Sequence, residues 1–504
     1  MKIGVKNLRS LIDTGLIHIK PINILLGQNS SGKSTFLRTF PLIKQSLETR
    51  TKGPILWYGA YVDFGDFNTA LWDMAENNSI SLDFEIDLKY NGANFSSYRF
   101  NSLIRKIPNN TKIQASLKLK FNKNFTYISE LFIKFSDIDY LISIDDNQNA
   151  SIYVNSFKLN ITNLKVFHIT NGLIPQFILR DKDRFVVADS RFLNNESNEL
   201  IRKISKYKLS DATINRIKNQ LKINSDTEFF NSLIQNKESK IFHKRISSIT
   251  NNVDDYYLIR GYIYASLLPY FLTNLDSNLI DIFKNVSYIG PVRASAERFY
   301  RPQELQVDEV DSQGKNLALV LANFSDGEKI KFRNFCLNNF NFFPEAIVRG
   351  GNISIVVNFK DEDFKHNITD LGFGFSQLLP IITQIWYSTQ KSSFKLRSKE
   401  VKIFAIEQPE LHLHPKMQGR FINAIINVLK YCESIDVSVK FIIETHSETI
   451  VNGIGNRIYK KKIDKDDVNI VVFNRNGKSS SVNPMSYDNE GRLINWPYGF
   501  FDEI

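Results

Sequence analysis

The sequence has 504 residues, a net charge of +11 and two cysteines, Cys336 and Cys432, far apart in the chain. This length allows a large core and more than one domain, and the cysteine spacing argues against a disulfide framework and for a reducing compartment. No secretion signal opens the chain, and no stretch approaches the roughly 18 apolar residues of a membrane helix, so we expect a cytoplasmic, soluble protein without membrane contact. The positive charge is compatible with nucleic-acid contact. Lys, Asn and Ile are all abundant, however, which is typical of a chain encoded by AT-rich DNA, and such a bias alone would supply the lysines.

A phosphate-binding pattern stands near the start. Residues Gly27–Thr35 fit G-x-x-x-x-G-K-[ST]. The apolar run Ile22–Leu26 precedes them and predicts a strand, and a helix is predicted over about Ser34–Leu47. Pro41 lies inside that helix and predicts a kink or an early end, because proline removes a helical hydrogen bond. This strand–loop–helix context is typical of a working phosphate site.

The chemistry of this pattern indicates ATP binding with Mg²⁺. The two glycines let successive N–H groups point at phosphate oxygens, and the helix adds its positive end. Lys33 is predicted to reach the β- and γ-phosphates, and the Ser34 hydroxyl to ligate Mg²⁺. The predicted nucleotide-binding residues of the loop are Gly27, Asn29, Ser30, Ser31, Gly32, Lys33, Ser34 and Thr35.

The segments around this loop predict strands and one aromatic turn. Apolar alternation predicts two strands before the loop, Met1–Asn7 and Leu16–Leu26. The stretch Tyr61–Phe67 combines aromatic and acidic residues around a glycine. It is either a loop that senses the γ-phosphate or Mg²⁺, or an ordinary turn in the core.

From Ile80 to about Thr170 the apolar residues repeat with period two, which predicts an antiparallel meander that is buried on one face. The alternating segments are Ser81–Leu88, Ile113–Phe121, Tyr127–Phe135, Tyr140–Ile144 and Ser151–Ile161. We see no catalytic group of residues in them.

Residues from about Arg191 to Lys284 are predicted to be helical and basic. Positions 201–250 contain 11 Lys or Arg and 4 Asp or Glu. This basic insertion either contacts nucleic acid or a partner protein, or is merely a solvated face. The basic residues at issue are Arg202, Lys203, Lys206, Lys208, Arg216, Lys218 and Lys222.

A strand is then predicted at Val286–Ile289, followed by a Gly-Pro turn and Arg293. Arg293 either approaches phosphate or forms a structural salt bridge. Further on, Asp370–Pro380 carries two glycines before a Ser-Gln pair that opens an apolar helix. An exposed helix N-terminus favours phosphate, and this second site is predicted to serve a nucleotide on another subunit.

Two apolar strands end in polar residues in the last quarter of the chain. Val401–Ile406 leads into Glu407, the predicted Mg²⁺ ligand, and then Gln408 and Glu410. Gln408 stands where the general base is expected, and an amide can orient water but cannot accept its proton. Hydrolysis is therefore slow, or Glu410 substitutes.

The second of these strands, Lys440–Ile443, leads to His446. His446 is predicted to sense the γ-phosphate or stabilise the transition state, unless its role is only structural. The predicted catalytic residues are thus Gln408, Glu410 and His446. His412 and His414 supply two ligands without a third, which is weak support for a metal site.

These motifs, in this order, resemble the ABC-type ATPase heads of the SMC, Rad50 and OLD-like group. They resemble more closely the bacterial AAA-family ATPases with a DUF3696 C-terminal region. The residues that carry the resemblance are Gly27–Thr35, Tyr288–Arg293, Leu371–Pro380, Ile406–Pro415, Glu444–Ser447 and Gly491–Asp502.

The resemblance implies head-to-head dimers that hold two ATP molecules, each between a phosphate loop and the opposing signature. By that match Gly374, Ser376 and Gln377 contact the nucleotide of the partner. The expected fold is α/β: an ABC-type P-loop ATPase head with an antiparallel β subdomain and an inserted helical region. The head comprises 1–80 and 286–504, the β subdomain 81–190 and the helical insertion 191–285.

Such ATPases occur in phage-defence systems, and the Septu-system ATPase, which works with an HNH nuclease, is similar. Only about 58 residues follow His446, too few for the TOPRIM nuclease domain of OLD-like proteins. We therefore expect an ATP-gated defence subunit that controls a separate nuclease. The alternative is a DNA-repair or chromosome-type ATPase that binds DNA, or RNA, through the basic insertion. A transporter-associated ATPase is disfavoured.

Overall fold

The computed structural model describes residues 1–88, 103–108, 110–161, 164–168, 171–181, 184–187, 190–206, 209–249, 253–305, 307–392 and 401–496. In these residues a mixed sheet of 16 strands forms the centre, accompanied by two sheets of three strands each and by helices. The α/β class predicted from the sequence is confirmed. The domain boundaries at 80, 190 and 285 stay predictions.

The N-terminal segment supplies the phosphate loop and the helix after it. Its elements are β1 (Lys2–Leu8), β2 (Leu11–Asp13), β3 (Ile17–His18), β4 (Ile22–Gly27), α1 (Lys33–Glu48), α2 (Phe67–Ala70) and β5 (Ile80–Leu88). The prediction of one continuous strand over Leu16–Leu26 is wrong, because the segment forms two strands, β3 and β4. Pro21 lies between them and has no N–H to donate to a neighbouring strand. Of the two alternatives predicted at Pro41, the early end is wrong, because α1 continues to Glu48, and the kink stays a prediction.

The predicted antiparallel meander is confirmed through its described part. Its strands are β6 (Thr111–Phe121), β7 (Thr126–Phe135), β8 (Ile138–Ile144), β9 (Ala150–Val154) and β10 (Phe157–Lys158). It continues the large sheet, because β5 pairs with both β1 and β6. A separate three-stranded sheet follows: β11 (Leu164–Phe167), β12 (Gln176–Asp181) and β13 (Arg184–Val187). The end of the predicted meander, at Thr170, lies outside the described residues.

The predicted helical region is confirmed as six helices within the described residues. They are α3 (Ser190–Ser205), α4 (Asp211–Gln220), α5 (Asp226–Ile234), α6 (Lys240–Ile249), α7 (Val253–Ala265) and α8 (Leu268–Phe283). The last of them, α8, contacts both α1 and β5, which joins this region to the main core.

The C-terminal part completes the sheet. Its elements are β14 (Val286–Ile289), α9 (Leu317–Ala322), α10 (Asp326–Phe340), β15 (Phe342–Arg349), β16 (Asn352–Phe359), β17 (Lys365–Asn367), α11 (Phe373–Ser392), β18 (Val401–Glu407), α12 (Pro415–Ser434), β19 (Ser438–Glu444), α13 (Glu448–Tyr459), β20 (Val468–Asn476), β21 (Ser479–Tyr487) and β22 (Leu493–Ile494). Strands β15 to β17 form the third sheet. The C-terminal end of the motif Gly491–Asp502 lies outside the described residues.

Five parallel strands position the site, in the order β20-β4-β19-β18-β14. Every residue of β4 is buried, since one core covers each face of the strand. Leu25 packs with α1 residues such as Phe36, and Ile24 and Leu26 pack into the core beneath α11 and α12. Parallel strands end at one shared edge, so the residues that follow β4, β18 and β19 meet there.

Candidate functional site

A cavity of about 330 Å³ lies at this shared edge. Its size is at the lower end of the range of roughly 300–1,000 Å³ found for ligand sites. A wider cleft of about 1110 Å³ is lined by Pro21, Val437 and Lys465 among others, residues that precede β4, β19 and β20. We assign function to the smaller cavity, because ligands of open α/β sheets bind beyond the carboxyl ends of the strands. The cavity is lined by Arg9, Ser10, Asn29, Ser30, Ser31, Gly32, Lys33, Ser34, Thr35, Gln408, Glu444 and His446.

The phosphate loop requires its first glycine. Gly27 has φ of +147°, and a Cβ built on it would lie 2.2 Å from the carbonyl oxygen of Phe473. Gly32, at φ +94°, is the N-cap residue of α1 and provides no side-chain hydrogen bond to the helix. The first N–H groups of α1 are therefore free of side-chain capping and can serve an anion. The hydroxyl of Ser31 is buried without a hydrogen-bond partner in the described structure.

Lys33 and Ser34 have different partners. The Lys33 ammonium donates to the backbone carbonyls of Gly27, at 3.0 Å, and Gln28, at 2.7 Å. Burial lowers the pKa of Lys33, and the charges of Glu444 and Glu410 oppose that shift. The Ser34 hydroxyl donates to Oε1 of Glu444 at 2.8 Å. These residues fit a magnesium nucleotide, since a lysine, a hydroxyl and a carboxylate converge on the loop.

Glu444 is the one carboxylate in the set of cavity-lining residues, and sequence analysis did not select it. Its side chain is 3% exposed, and burial together with the charge of Glu407 raises its pKa to about 7. Its Oε2 atom is buried without a hydrogen-bond partner in the part of the chain described. A signal existed in the sequence: Glu444 ends the apolar run of β19 just as Glu407 ends that of β18.

Glu407, the predicted Mg²⁺ ligand, is engaged elsewhere. Its carboxylate accepts two hydrogen bonds from Arg38, at 2.7 and 2.8 Å, and one from the Tyr288 hydroxyl at 2.8 Å. The ion pair is one reason why the pKa of Arg38 is raised. Glu407 is not in the set of residues that line the cavity. Its assignment as a metal ligand stays a prediction that this geometry disfavours.

The two candidate catalytic residues after β18 have different positions relative to the cavity. Gln408 lines the cavity, has φ of +44°, and donates its backbone N–H to the Glu444 carbonyl at 2.8 Å. Glu410 accepts the His446 backbone N–H at 2.7 Å and is not in the lining set. Burial raises the pKa of Glu410. The geometry therefore brings Gln408 to the site and gives Glu410 a supporting contact with the His446 backbone.

His446 lies where the sequence predicted it, on the wall of the cavity beyond β19. Burial and the nearby Lys33 charge lower its pKa, which favours the neutral ring. Its catalytic role stays a prediction. His414 caps α12 by accepting the Lys416 N–H, which gives it a structural role.

The signature residues Gly374, Ser376 and Gln377 lie in the first turns of α11, where Gly374 is half-buried. Ser376 and Gln377 are each 6% exposed, and the Ser376 hydroxyl donates to the Phe373 carbonyl. A Cβ on Gly374 would lie 2.7 Å from the His412 carbonyl, so this glycine permits close packing. Phe373, the first residue of α11, is 64% exposed to solvent. The predicted contact of Gly374, Ser376 and Gln377 with a partner's nucleotide stays a prediction.

Arg293 forms no salt bridge in the described residues and instead binds carbonyl groups. It is 4% exposed and donates to the backbone oxygen of Glu407 at 2.7 Å and to Oε1 of Gln377 at 3.4 Å. Burial lowers its pKa to about 10. Arg293 thus ties the end of β18 to the start of α11.

The aromatic turn Tyr61–Phe67 packs in the core, because Val62, Phe64 and Phe67 are buried. None of its residues is in the lining set of the cavity, so the core alternative fits better than a phosphate sensor. It does support the wall, since the Arg9 guanidinium lies 4.4 Å from the Phe64 ring and donates to the Asp63 carbonyl.

One lysine of the predicted basic set in the helical region, Lys218, is buried in the structure. Lys218 is 1% exposed and donates to Oδ1 of Asn194 and to the Ser197 hydroxyl. Arg202 is paired with Glu199 and Asp211. The exposed basic residues of the predicted set are Lys203, Lys206, Arg216 and Lys222, and Lys208 lies outside the described residues.

Comparison with known proteins identifies the family. The AAA ATPase domain model matches residues 1–451. The chain belongs to the AAA ATPase domain family. The model described as DUF3696, a protein family of unknown function, matches residues 463–504. Both matches agree with the families that the motifs resembled.

A relative and several solved structures are similar to this family member. Endonuclease GajA of Bacillus cereus (strain HuB5-5) is 23% identical over 360 residues, which is 65% of this chain and 47% of GajA. The chain therefore spans less than half the length of this curated relative. The SMC head domain from Thermotoga maritima is 10% identical with a TM-score of 0.34, covering 96% of this chain and 97% of that one. The Smc head domain derived from Pyrococcus furiosus, bound to the C-terminal domain of ScpA, has the same identity and score and covers 96% of both chains. Among the described helices, none has the length and apolarity needed to span a membrane.

Proposed function

We propose that this AAA-family chain is an ATP-binding subunit of an anti-phage defence complex. It binds Mg²⁺ and ATP at the phosphate loop, dimerises through its ATPase heads around the nucleotide, and regulates a separate nuclease, with the HNH type favoured. Support comes from the family match and from the similarity to a protein named as an endonuclease. The motifs also resemble those of phage-defence ATPases.

The observation that carries the proposal is the cavity beyond β4 and β19, which Lys33, Ser34 and Gln408 line together. The first two suit phosphate and Mg²⁺. Gln408 supplies an amide where turnover needs a proton acceptor. A site of this kind binds ATP well and hydrolyses it slowly, which suits a nucleotide-held clamp.

Steady-state turnover by the purified protein tests the clamp. We expect ATP binding, an ATP-dependent dimer by light scattering, and a turnover rate below about 1 s⁻¹, the low end for enzymes. Gln408→Glu should raise turnover by about tenfold or more, because it supplies a general base. Fast turnover by the wild type that Gln408→Glu leaves unchanged would contradict the slow clamp.

Control of a nuclease is tested with the neighbouring gene product. The neighbouring reading frame is identified, the chain is co-expressed with its product, and DNA cleavage is measured with and without ATP. We expect cleavage to depend on ATP and to lose that dependence in Lys33→Ala. Cleavage that ignores both the nucleotide and the variant would exclude regulation through this site.

A second candidate, direct DNA or RNA binding, is favoured by the exposed residues Lys203, Lys206 and Arg216 of the helical region. Binding to phosphates should weaken steeply with salt, because bound counterions are released. Replacing all three by alanine should reduce DNA affinity, whereas replacing the exposed Lys112 and Lys134 of the meander should not. Equal affinities of both variants would remove this candidate.

A further inference from the structure

Two glutamates end neighbouring strands at the site, and their surroundings differ. Glu407 and Glu444 are directly paired in the register of β18 and β19. Strand β19 lies between β18 and β4, so Glu444 is one strand nearer to the phosphate loop. Sequence position alone favours Glu407, which opens the run Glu407–Glu410.

We propose that Glu444, in place of Glu407, is the carboxylate that holds Mg²⁺ beside the Ser34 hydroxyl. The inference rests on the proposed ATP site and deepens it by naming the acidic ligand. Glu407 then has a structural role, because its contacts fix α1 against the sheet.

The contacts of α1 separate the two glutamates. Ser34 and Arg38 are four residues apart and therefore lie on one face of α1. Ser34 donates to Glu444 at 2.8 Å, and Arg38 donates twice to Glu407 at 2.7 and 2.8 Å. The hydroxyl that a phosphate loop offers to Mg²⁺ thus already contacts Glu444.

The carboxylate of Glu407 has its charge and hydrogen bonds satisfied within the protein. It receives three donors, two from Arg38 and one from Tyr288, and Arg38 is an ion-pair partner at 2.7 Å. Breaking such a buried pair leaves a charge without compensation, which costs several kcal/mol. Using Glu407 for the metal would require that loss.

The carboxylate of Glu444 has weaker compensation: it accepts one side-chain hydrogen bond, from Ser34, and the charges of Lys33 and Arg38 offset its own only in part. It is 97% buried, since 3% is exposed, and its Oε2 atom has no hydrogen-bond partner in the described structure. Among the described residues, Lys33 forms no ion pair with Glu444 within 4 Å, and two of its three N–H groups donate to Gly27 and Gln28. A bound cation stabilises the charged form of a buried carboxylate such as Glu444, and Mg²⁺ is typically held by one or two carboxylates together with waters and phosphate oxygens.

The test compares two matched variants, Glu444→Gln and Glu407→Gln, in the full chain. ADP and ATP affinities are measured by calorimetry in Mg²⁺ and in EDTA. We expect Mg²⁺ to tighten wild-type binding by about tenfold or more, and this gain to fall to about twofold or less in Glu444→Gln. Glu407→Gln should keep the gain. Electron paramagnetic resonance of Mn²⁺ should likewise show loss of the nucleotide-bound ion only in Glu444→Gln.

Thermal unfolding without nucleotide gives a second, independent result. Glu407→Gln should lower the melting temperature, because Arg38 loses its partner, whereas Glu444→Gln should leave it equal or higher. These scans also show that both variants fold. A Glu444→Gln variant that melts lower than Glu407→Gln would count against the difference in compensation.

The opposite pattern overturns the inference: a full Mg²⁺ gain in Glu444→Gln, or its loss in Glu407→Gln. That outcome differs from failure of the proposed function. If the wild type binds no nucleotide in either buffer, the ATP site itself is wrong.

Discussion

The parallel and antiparallel halves of the large sheet are built differently, and only one of them concentrates polar chemistry. Strand β4 of the parallel half is buried at every position, whereas β8 of the meander alternates buried and half-buried residues. Parallel strands all end at one edge, so Lys33, Gln408 and Glu444 meet there although they are far apart in sequence. Consecutive antiparallel strands end at opposite edges, which disperses the residues that follow them. We therefore expect substitutions at the parallel edge to alter ligand binding and those in the meander to alter stability alone.

The largest effect is expected from Lys33→Ala at the parallel edge. Loss of the ammonium should weaken ATP binding by about 1,000-fold, or about 4 kcal/mol, because charge-assisted bonds to phosphates are strong. Calorimetry with ATP measures this, and ATP-dependent dimerisation should vanish with it. Lys112→Ala, an exposed lysine of the meander, is the control. Normal ATP affinity in Lys33→Ala would refute the site.

A substitution that creates a cavity in the meander core should lower stability and leave ATP binding unchanged. Leu131 on β7 is fully buried, and Leu131→Ala should destabilise the fold by about 3 kcal/mol through lost packing. Thermal unfolding should move to lower temperature while ATP affinity at low temperature stays within about twofold of the wild type. A loss of affinity comparable to that of Lys33→Ala would show that the two halves are not separable.

A backbone change tests the loop itself. Gly27→Ala places a Cβ against the Phe473 carbonyl at a positive φ, which should cost about 2 kcal/mol and reduce ATP affinity. The matched control is Gly327→Ala in α10, where an added Cβ meets no atom within 4 Å. That substitution should be neutral or slightly stabilising. Equal behaviour of the two variants would mean that the loop has no steric constraint.

The smallest effect concerns pH and lies away from both halves. Burial lowers the pKa of Lys218 from 10.5 to about 7. Between these values the unfolded chain binds a proton that the folded chain has released, so stability should rise as the pH increases from 7 toward 10.5. Relative to Lys218→Met, the wild type should gain about 1 kcal/mol or more between pH 7 and 9. If the free energy of unfolding changed equally with pH in the two proteins over this range, a buried, neutral lysine would be ruled out.

Local pattern predicted much of the fold and part of the site. The phosphate loop, α1, the meander and the strands β14, β18 and β19 are where periodicity and turn residues predicted them. Pattern failed for one of the two alternatives at Pro41, since α1 does not end early but continues to Glu48. It failed again at Lys218, because composition counts a lysine as basic surface and cannot show that Asn194 and Ser197 enclose it.

The sequence by itself determined the phosphate-loop pattern, because all of its residues lie in the short local segment Gly27–Thr35. It also determined that two apolar strands end in glutamates. Only the tertiary structure decided which glutamate meets Ser34, a contact between residues 410 positions apart. The physical reason is strand order: β19 inserts between β4 and β18 through long-range pairing, and no local pattern encodes that choice.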